Sequence, residues 1–154
     1  MASRIKNKGI DLRIHGKIIV HDFDKLSIGN YTRIGRNCFF FCKGGLKIGD
    51  NVQFSRNITV YTANHNFKSD VLPYDNSYLT GRVVIGNNVW IGMNASILPN
   101  IKIGDNAIIG LGAIITKDVP ENAIVVGNNR IIGYRSIDQI NKCTKLFGKE
   151  YADS

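Results

Sequence analysis

An aliphatic residue recurs every six positions through much of this chain, and few folds accept that step. From Leu79 the successive members are Ile85, Ile91, Ile97, Ile103, Ile109 and Ile115. Upstream the same step runs through Ile28, Ile34, Phe40 and Leu46, then again through Ile48, Phe54 and Val60. A second column follows four residues behind: Val83, Val89, Ala95, Ile101, Ala107, Ala113 and Val119, with Val52 and Ile58 upstream. Helices bury residues at three- and four-residue steps and half-buried strands at every second residue. A step of six therefore predicts short strands joined by regular corners, with both columns facing a common interior. Gly follows the aliphatic residue at Ile28-Gly29, Ile48-Gly49, Ile85-Gly86 and Ile103-Gly104. Gly, Asp and Asn gather at the predicted corners, as in Gly86-Asn87-Asn88, and tolerate the left-handed backbone that tight corners need. Three such sides close an expected coil of about 18 residues, and stacked coils pair as parallel strands about 4.8 Å apart.

The repeat breaks in two places. Residues 66–78 carry no hexad marks and read as a loop extruded from the solenoid, which in a compact repeat fold points to function. After Arg135, Ser136-Ile137-Asp138-Gln139 has the form of a capping box. Ile137, Ile140, Leu146 and Phe147 then predict one amphipathic helix over 136–150, covering the solenoid's open end or packing on a neighbouring subunit. Residues 10–27 are apolar but irregular and read as an atypical coil capping the other end. The expectation is a single domain over 1–154 with its solenoid over 28–135.

The net charge of +8 favours polyanionic partners. It suits nucleic acid and a phosphate-bearing small molecule alike, although the basic residues are scattered and not interleaved with aromatics in one segment. No apolar run approaches the roughly 20 residues that span a membrane, and Met1 to Gly9 lacks the apolar stretch of a signal peptide. A cytoplasmic protein without membrane insertion is expected. Cys38, Cys42 and Cys143 form no C-x-x-C pair and read as small reduced hydrophobes.

Over residues 28–135 the repeat resembles the hexapeptide-repeat acyltransferases. That resemblance implies an all-β, left-handed parallel β-helix, a triangular solenoid whose hand opposes the usual crossover preference. It also implies acetyl-CoA as co-substrate, no metal, no nucleic-acid partner, and a homotrimer with active sites between neighbouring prisms. Ile58 to His65, followed by a short loop and then Val84 to Gly92, resembles the galactoside and maltose O-acetyltransferase branch. There the histidine at the start of the loop is the general base, a role that falls on His65.

The residues agree with that role. His15 and His21 lie in the irregular first coil, where a structural or solvated role is expected. His65 ends the hexad Val60-Tyr61-Thr62-Ala63-Asn64-His65 at a corner, immediately before the loop. An imidazole, with its ordinary pKa near 6.5, can accept a hydroxyl proton as attack on a thioester begins. Backbone N–H groups at a corner can stabilise the oxyanion. By resemblance, Asn37, Asn64 and Trp90 touch the acceptor or the acetyl end. Ile109 to Pro120 resembles the family's coenzyme A wall, placing Gly92, Met93, Leu111, Gly112 and Thr116 along the pantetheine. Lys117, Arg130 and Arg135 are then partners for the phosphates or adenine.

Two stretches depart from the branch. Gly35-Arg36-Asn37-Cys38 stands where Asn-x-Asn-Cys is usual, and Gly127-Asn128-Asn129-Arg130 where Gly-Asn-Pro-Ala is usual. The first departure and the lack of a helical segment ahead of the first coil count against a simple galactoside or maltose as acceptor, and the resemblance to compact surface-polysaccharide O-acetyltransferases implies a sugar of a cell-surface polysaccharide or its precursor. N-acetylation of a nucleotide-linked amino sugar and a streptogramin-type antibiotic acetyltransferase are the alternatives. A carbonic-anhydrase-like zinc site needs three histidines, and only His65 lies in the regular repeat as read here. An ice-binding or scaffold solenoid predicts a flat Thr-rich face, against the mixed Asn, Asp, Lys and Arg of the outer positions.

Overall fold

Short parallel strands stack into three flat faces in the computed structural model, which describes residues 5–150. Residues 1–4 and 151–154, to which the N-terminal reading and the 1–154 bounds extend, lie outside the described residues. Face 1 holds Asn7–Lys8, Leu26–Ile28, Leu46–Ile48, Val83–Ile85 and Lys102–Ile103. Face 2 holds Arg13–Ile14, Arg33–Ile34, Gln53–Phe54, Trp90–Ile91, Ile108–Ile109 and Ala123–Val126, closed by the antiparallel strand Arg130–Tyr134. Face 3 holds Ile19–His21, Phe39–Phe41, Thr59–Tyr61, Ser96–Ile97 and Ile114–Ile115. The chain visits the faces in order, and isolated bridges at Val119 and Asn128 carry faces 1 and 3 into a sixth coil. The six-residue step implied the stacked three-sided coils, and the left-handed parallel β-helix is the one that the family resemblance implied.

The inward columns make one core. Ile28, Ile48, Ile85 and Ile103 line face 1; Ile34, Phe54, Ile91, Ile109 and Val125 line face 2; Val20, Phe40, Val60, Ile97 and Ile115 line face 3. Each is buried, and each contributes on the order of 1.5–3 kcal/mol of apolar transfer. The second column is equally buried, from Val52 and Ile58 to Ala107 and Ala113.

The coils are not of one length. Lys8 pairs with Ile28 and Ile28 with Ile48, a step of 20 residues. Below the loop Ile85 pairs with Ile103, a step of 18, and Ile109 with Val125, a step of 16. The two extra residues of the upper coils sit at the corner from face 3 to face 1. There the first coil makes a 3-10 turn, Phe23–Lys25, and the second makes a turn through Cys42 to Gly45, the last with φ 95°. Leu26 and Ile28 then both point inward, as do Leu46 and Ile48. That is why the upstream columns run two residues out of step. The first coil is accordingly a regular member of the stack from Asn7 onward, not an irregular cap over 10–27.

The corners divide their labour between two residue types. Left-handed backbone falls mostly on asparagine, at Asn37, Asn51, Asn57, Asn88, Asn94, Asn100 and Asn106, with φ between 54° and 65°, and on Asp11, Asp22 and Tyr31 in the first two coils. The repeat glycines answer a different need: a Cβ on Gly49 would meet the Gly86 carbonyl oxygen of the next coil at 2.6 Å. Along the edge between faces 1 and 2 the asparagines form a ladder, Asn51 Nδ2 donating to Asn88 Oδ1 (2.9 Å), Asn88 to Asn106 (3.1 Å) and Asn106 to Asn122 (3.0 Å).

Leu79, read as the head of the isoleucine column, stands outside the solenoid. It belongs to a hairpin, Ala63–His65 paired with Tyr78–Thr80, so the excursion is longer than 66–78. The tail also differs from expectation. Ile137–Lys142 is one short helix, capped by Ser136 accepting from the Gln139 N–H, and Phe147–Glu150 is a second. The tail does not cap the open end but runs back along the asparagine edge. Arg33 donates to the Gly148 carbonyl (2.9 Å), and the Gly148 N–H donates to Asn51 Oδ1 (3.0 Å). Among the described residues no helix is long and apolar enough to cross a membrane.

Candidate active site

His65 is presented on a hairpin rooted in the edge between faces 3 and 1. Thr62 fixes that root: its hydroxyl donates to the Phe41 carbonyl (2.8 Å) and accepts from the Gly44 N–H (2.8 Å). Ala63 is fully buried beside it, and Asn64 and His65 are both exposed where the hairpin leaves the solenoid. The loop folds back over the imidazole. Tyr74 stacks on it at 4.0 Å between centroids and 12° between planes, and Tyr78, directly across the hairpin, lies at 4.8 Å. Asp75 braces this loop by accepting from the Ser77 N–H (2.8 Å) and hydroxyl, bonds that hold its carboxyl below the usual carboxylate range. Among the described residues no side chain hydrogen-bonds the imidazole. Its ring is oriented by aromatic contact while its nitrogens stay open to a ligand.

The imidazole stands at one end of a cleft of about 240 Å³ lined by His21, Phe39, Phe41, Tyr61, Ala63, Asn64, His65 and Tyr78. His21, read as structural or solvated, lies on face 3 of a regular coil and shares this cleft. His65 is therefore not alone, since His21 too belongs to the regular repeat. Among the described residues, however, no three His, Cys, Asp or Glu side chains gather where they could hold a metal ion. The aromatic lining was missed as well. Its signal was an outward residue at a constant 20-residue step, His21, Phe41 and Tyr61, which a six-residue search does not test.

The remaining candidates fall into three places. Asn64 adjoins His65 in the cleft, and Thr116 and Lys117 stand on the same edge two coils below. The Thr116 hydroxyl bonds Asn128 and Asn129, and Asn129 also accepts from the Thr116 and Lys117 N–H groups. Asn129 thus closes this corner, while the Lys117 side chain stays exposed. Asn37, Gly92, Met93, Leu111 and Gly112 share the edge between faces 2 and 3, a whole face away from His65. Asn37 holds a left-handed corner there, and Gly92 is buried beneath the Leu111 backbone. Leu111 is exposed and nothing lies near Gly112, so the surface below Met93 is smooth and apolar. Above it Arg36, Asn37, Arg56, Asn57 and Met93 line a second hollow, two cations that the sequence reading did not single out. Trp90 projects from face 2 beside the tail, and Arg135 donates to the Asn106 carbonyl (3.3 Å) on the asparagine edge. Arg130 is exposed on the last strand of face 2. Neither arginine nor Trp90 meets His65 within one chain.

Comparison with known proteins gives the family of the chain. The model of the bacterial transferase hexapeptide (six repeats) matches residues 82–117, the lower coils. The chain is 36% identical to the galactoside O-acetyltransferase of Escherichia coli K12 over 134 residues, 81% of this chain and 63% of that protein. It spans about half the length of several other curated relatives it matches. A solved maltose O-acetyltransferase from Clostridium difficile 630 superposes with a TM-score of 0.76 at 34% identity, over 83% of this chain and 68% of that one. A galactoside acetyltransferase in complex with coenzyme A superposes with a TM-score of 0.72 at 27% identity, over 86% and 69%. On this likeness and on its own six-residue architecture, the chain belongs to the hexapeptide-repeat transferase family, in the branch that holds the galactoside and maltose O-acetyltransferases.

Proposed function

We propose that this protein transfers an acetyl group from acetyl-CoA to a sugar hydroxyl, with His65 as general base. The observation that carries this reading is the imidazole itself: it packs against Tyr74 and Tyr78 in the lining of a cleft, and among the described residues no side chain hydrogen-bonds its nitrogens. Acetyl-CoA supplies the acyl group as a thioester. The smooth surface at Leu111 and Gly112 suits the pantetheine arm, and Arg36, Arg56 and Lys117 suit its phosphates. One imidazole nitrogen accepts the proton of the acceptor hydroxyl as its oxygen attacks the thioester carbonyl. Corner N–H groups stabilise the charge that develops on that carbonyl oxygen. The imidazolium then returns its proton to the departing sulfur, leaving an acetyl ester and a free thiol.

The donor surface on the edge between faces 2 and 3 lies one face away from His65 in the same chain. We therefore place the donor against a neighbouring prism, in a homotrimer whose sites lie between copies. Trp90 and Asn37 come near the chemistry only in such an assembly. The acceptor class we propose is a sugar of a cell-surface polysaccharide or its precursor.

Free-thiol release from acetyl-CoA, measured against mono-, oligo- and nucleotide sugars, tests the reading. His65→Ala is expected to lower kcat by roughly 10²- to 10⁴-fold, the usual scale of general-base catalysis. Coenzyme A affinity should stay unchanged by calorimetry. Undiminished turnover in that variant would remove His65 from the chemistry, and acetylation confined to nucleotide-linked amino sugars would replace the acceptor.

A further inference from the structure

The outer surface of face 3 changes character at the hairpin. On the first three coils it carries Ile19, His21, Phe39, Phe41, Thr59 and Tyr61, four of them aromatic rings; on the fourth and fifth it carries Ser96 and Ile114. His21, Phe41 and Tyr61 occupy one register, each on the next coil. Their rings touch in sequence: His21 to Phe39 at 5.5 Å, Phe39 to Tyr61 at 5.6 Å, Phe41 to Tyr61 at 5.5 Å. Tyr78 then joins this strip to the base, 5.8 Å from Phe41 and 4.8 Å from His65. Nothing in the fold requires such a row. The inward side of the same strands is filled by Val20, Phe40 and Val60, and an outward strand position accepts any polar residue.

From this strip we propose a series of subsites for an extended acceptor, an oligosaccharide lying along face 3 from His65 up to His21. The inference rests on the sugar-acetyltransferase reading above and extends it to the length of the acceptor. Three features favour a glycan over other occupants. The apolar C–H face of a pyranose complements the electron-rich face of an aromatic ring. The polar groups stand at the strip's margins, Asn64 at the reactive end and Lys43 with its Nζ 4.6 Å over the Tyr78 ring, as donors for hydroxyls need. The strip also runs on without a break into the cleft that holds the base, and its two inter-coil steps of about 4.8 Å each match the reach of a short oligosaccharide. The pantetheine candidates Met93, Leu111, Gly112 and Thr116 belong to the lower coils, below the strip.

The test is thiol release with glucose, maltose, maltohexaose, xylohexaose and chitohexaose as acceptors, plus a streptogramin antibiotic. Wild-type kcat/KM is expected to rise at least ten-fold from the monosaccharide to one of the hexasaccharides. Phe41→Ser and Tyr61→Ser should each remove most of that gain, chiefly through KM of the acceptor, with KM for acetyl-CoA unmoved. His21→Ser, at the far end, should penalise only the longest acceptors. Ile131→Ser, an equal loss of exposed apolar surface on face 2, should leave the length dependence intact. Equal kcat/KM for mono- and hexasaccharides overturns the strip proposal and leaves the sugar reading standing. Acetylation of the antibiotic alone, or of none of these compounds, overturns both. Dissociation of the oligomer by Phe41→Ser in sedimentation would assign the strip to a contact between copies and overturn it as well.

Discussion

The three coils above the hairpin and the three below share a fold but not a cross-section. Above, the second inward column on face 3 reads Ile18, Cys38 and Ile58; below, Ala95 and Ala113 continue it. Above, a turn takes 20 residues and its last corner is long; below, a turn takes 18 and then 16 and the corner is short. The wider coils carry outward aromatics on face 3, and the narrower ones expose Leu111 and an open Gly112. A solenoid can thus change width and surface chemistry along its axis without breaking register, because each coil contacts only its neighbours. The hairpin bearing His65 sits where the two regimes meet.

Exchanging side chains between the regimes tests this difference directly. Ile58 and Ala95 occupy equivalent inward positions on adjacent coils, one residue before the paired Thr59 and Ser96. Ile58→Ala should leave a cavity and cost about 2–5 kcal/mol in chemical denaturation. Ala95→Ile should overpack the narrower coil and cost about 1–3 kcal/mol. If both variants lie within about 0.5 kcal/mol of the parent, the two halves have the same cross-section and the contrast fails. Asn88→Ala, at the junction of the regimes, removes two rungs of the asparagine ladder and places a Cβ-bearing residue without a compensating bond at φ 56°. A loss of about 1–2 kcal/mol is expected. Asn88→Gly should recover the backbone share but not the hydrogen bonds.

The architecture was legible because a six-residue period has so few physical interpretations. What escaped was whatever that period does not sample. The offset between Leu46 and Ile48 split the upstream column into two runs; it marks two extra corner residues in each upper coil. Searching at 20 would have aligned Ile14, Ile34 and Phe54 and returned residues 10–27 to the stack. The same step would have exposed His21, Phe41 and Tyr61 as one outward column. His65 stood out as a candidate because the repeat stops there, but Tyr74 did not, since nothing in a loop sequence says which ring folds back on which. An amphipathic tail likewise announces an apolar face without naming its dock. Arg33 and Asn51 provide that dock 115 and 97 residues away in sequence.

The smallest expected effect concerns the long corner of the upper coils, where Cys42 has no cysteine counterpart below. Burial pushes the Cys42 thiol up to about 12, with Asp22 and Asp24 adding to the rise, and burial also raises Cys38. A thiol whose folded pKa exceeds its unfolded value favours the folded state fully at neutral pH. As pH climbs past the ordinary thiol range near 8.5, the unfolded chain ionises first and stability falls, until the folded thiol ionises too. Cys42 alone then lowers stability by about 1 kcal/mol between pH 9 and 10, a slope bounded by about 1.4 kcal/mol per unit. Cys42→Ala should flatten that part of the pH–stability curve whatever it costs at pH 7. Iodoacetamide on the native protein should label Cys143, which is exposed, and spare Cys38 and Cys42. Ready labelling of Cys42 at pH 8 would show that the long corner opens, and the upper coils would then differ from the lower in rigidity as well as in width.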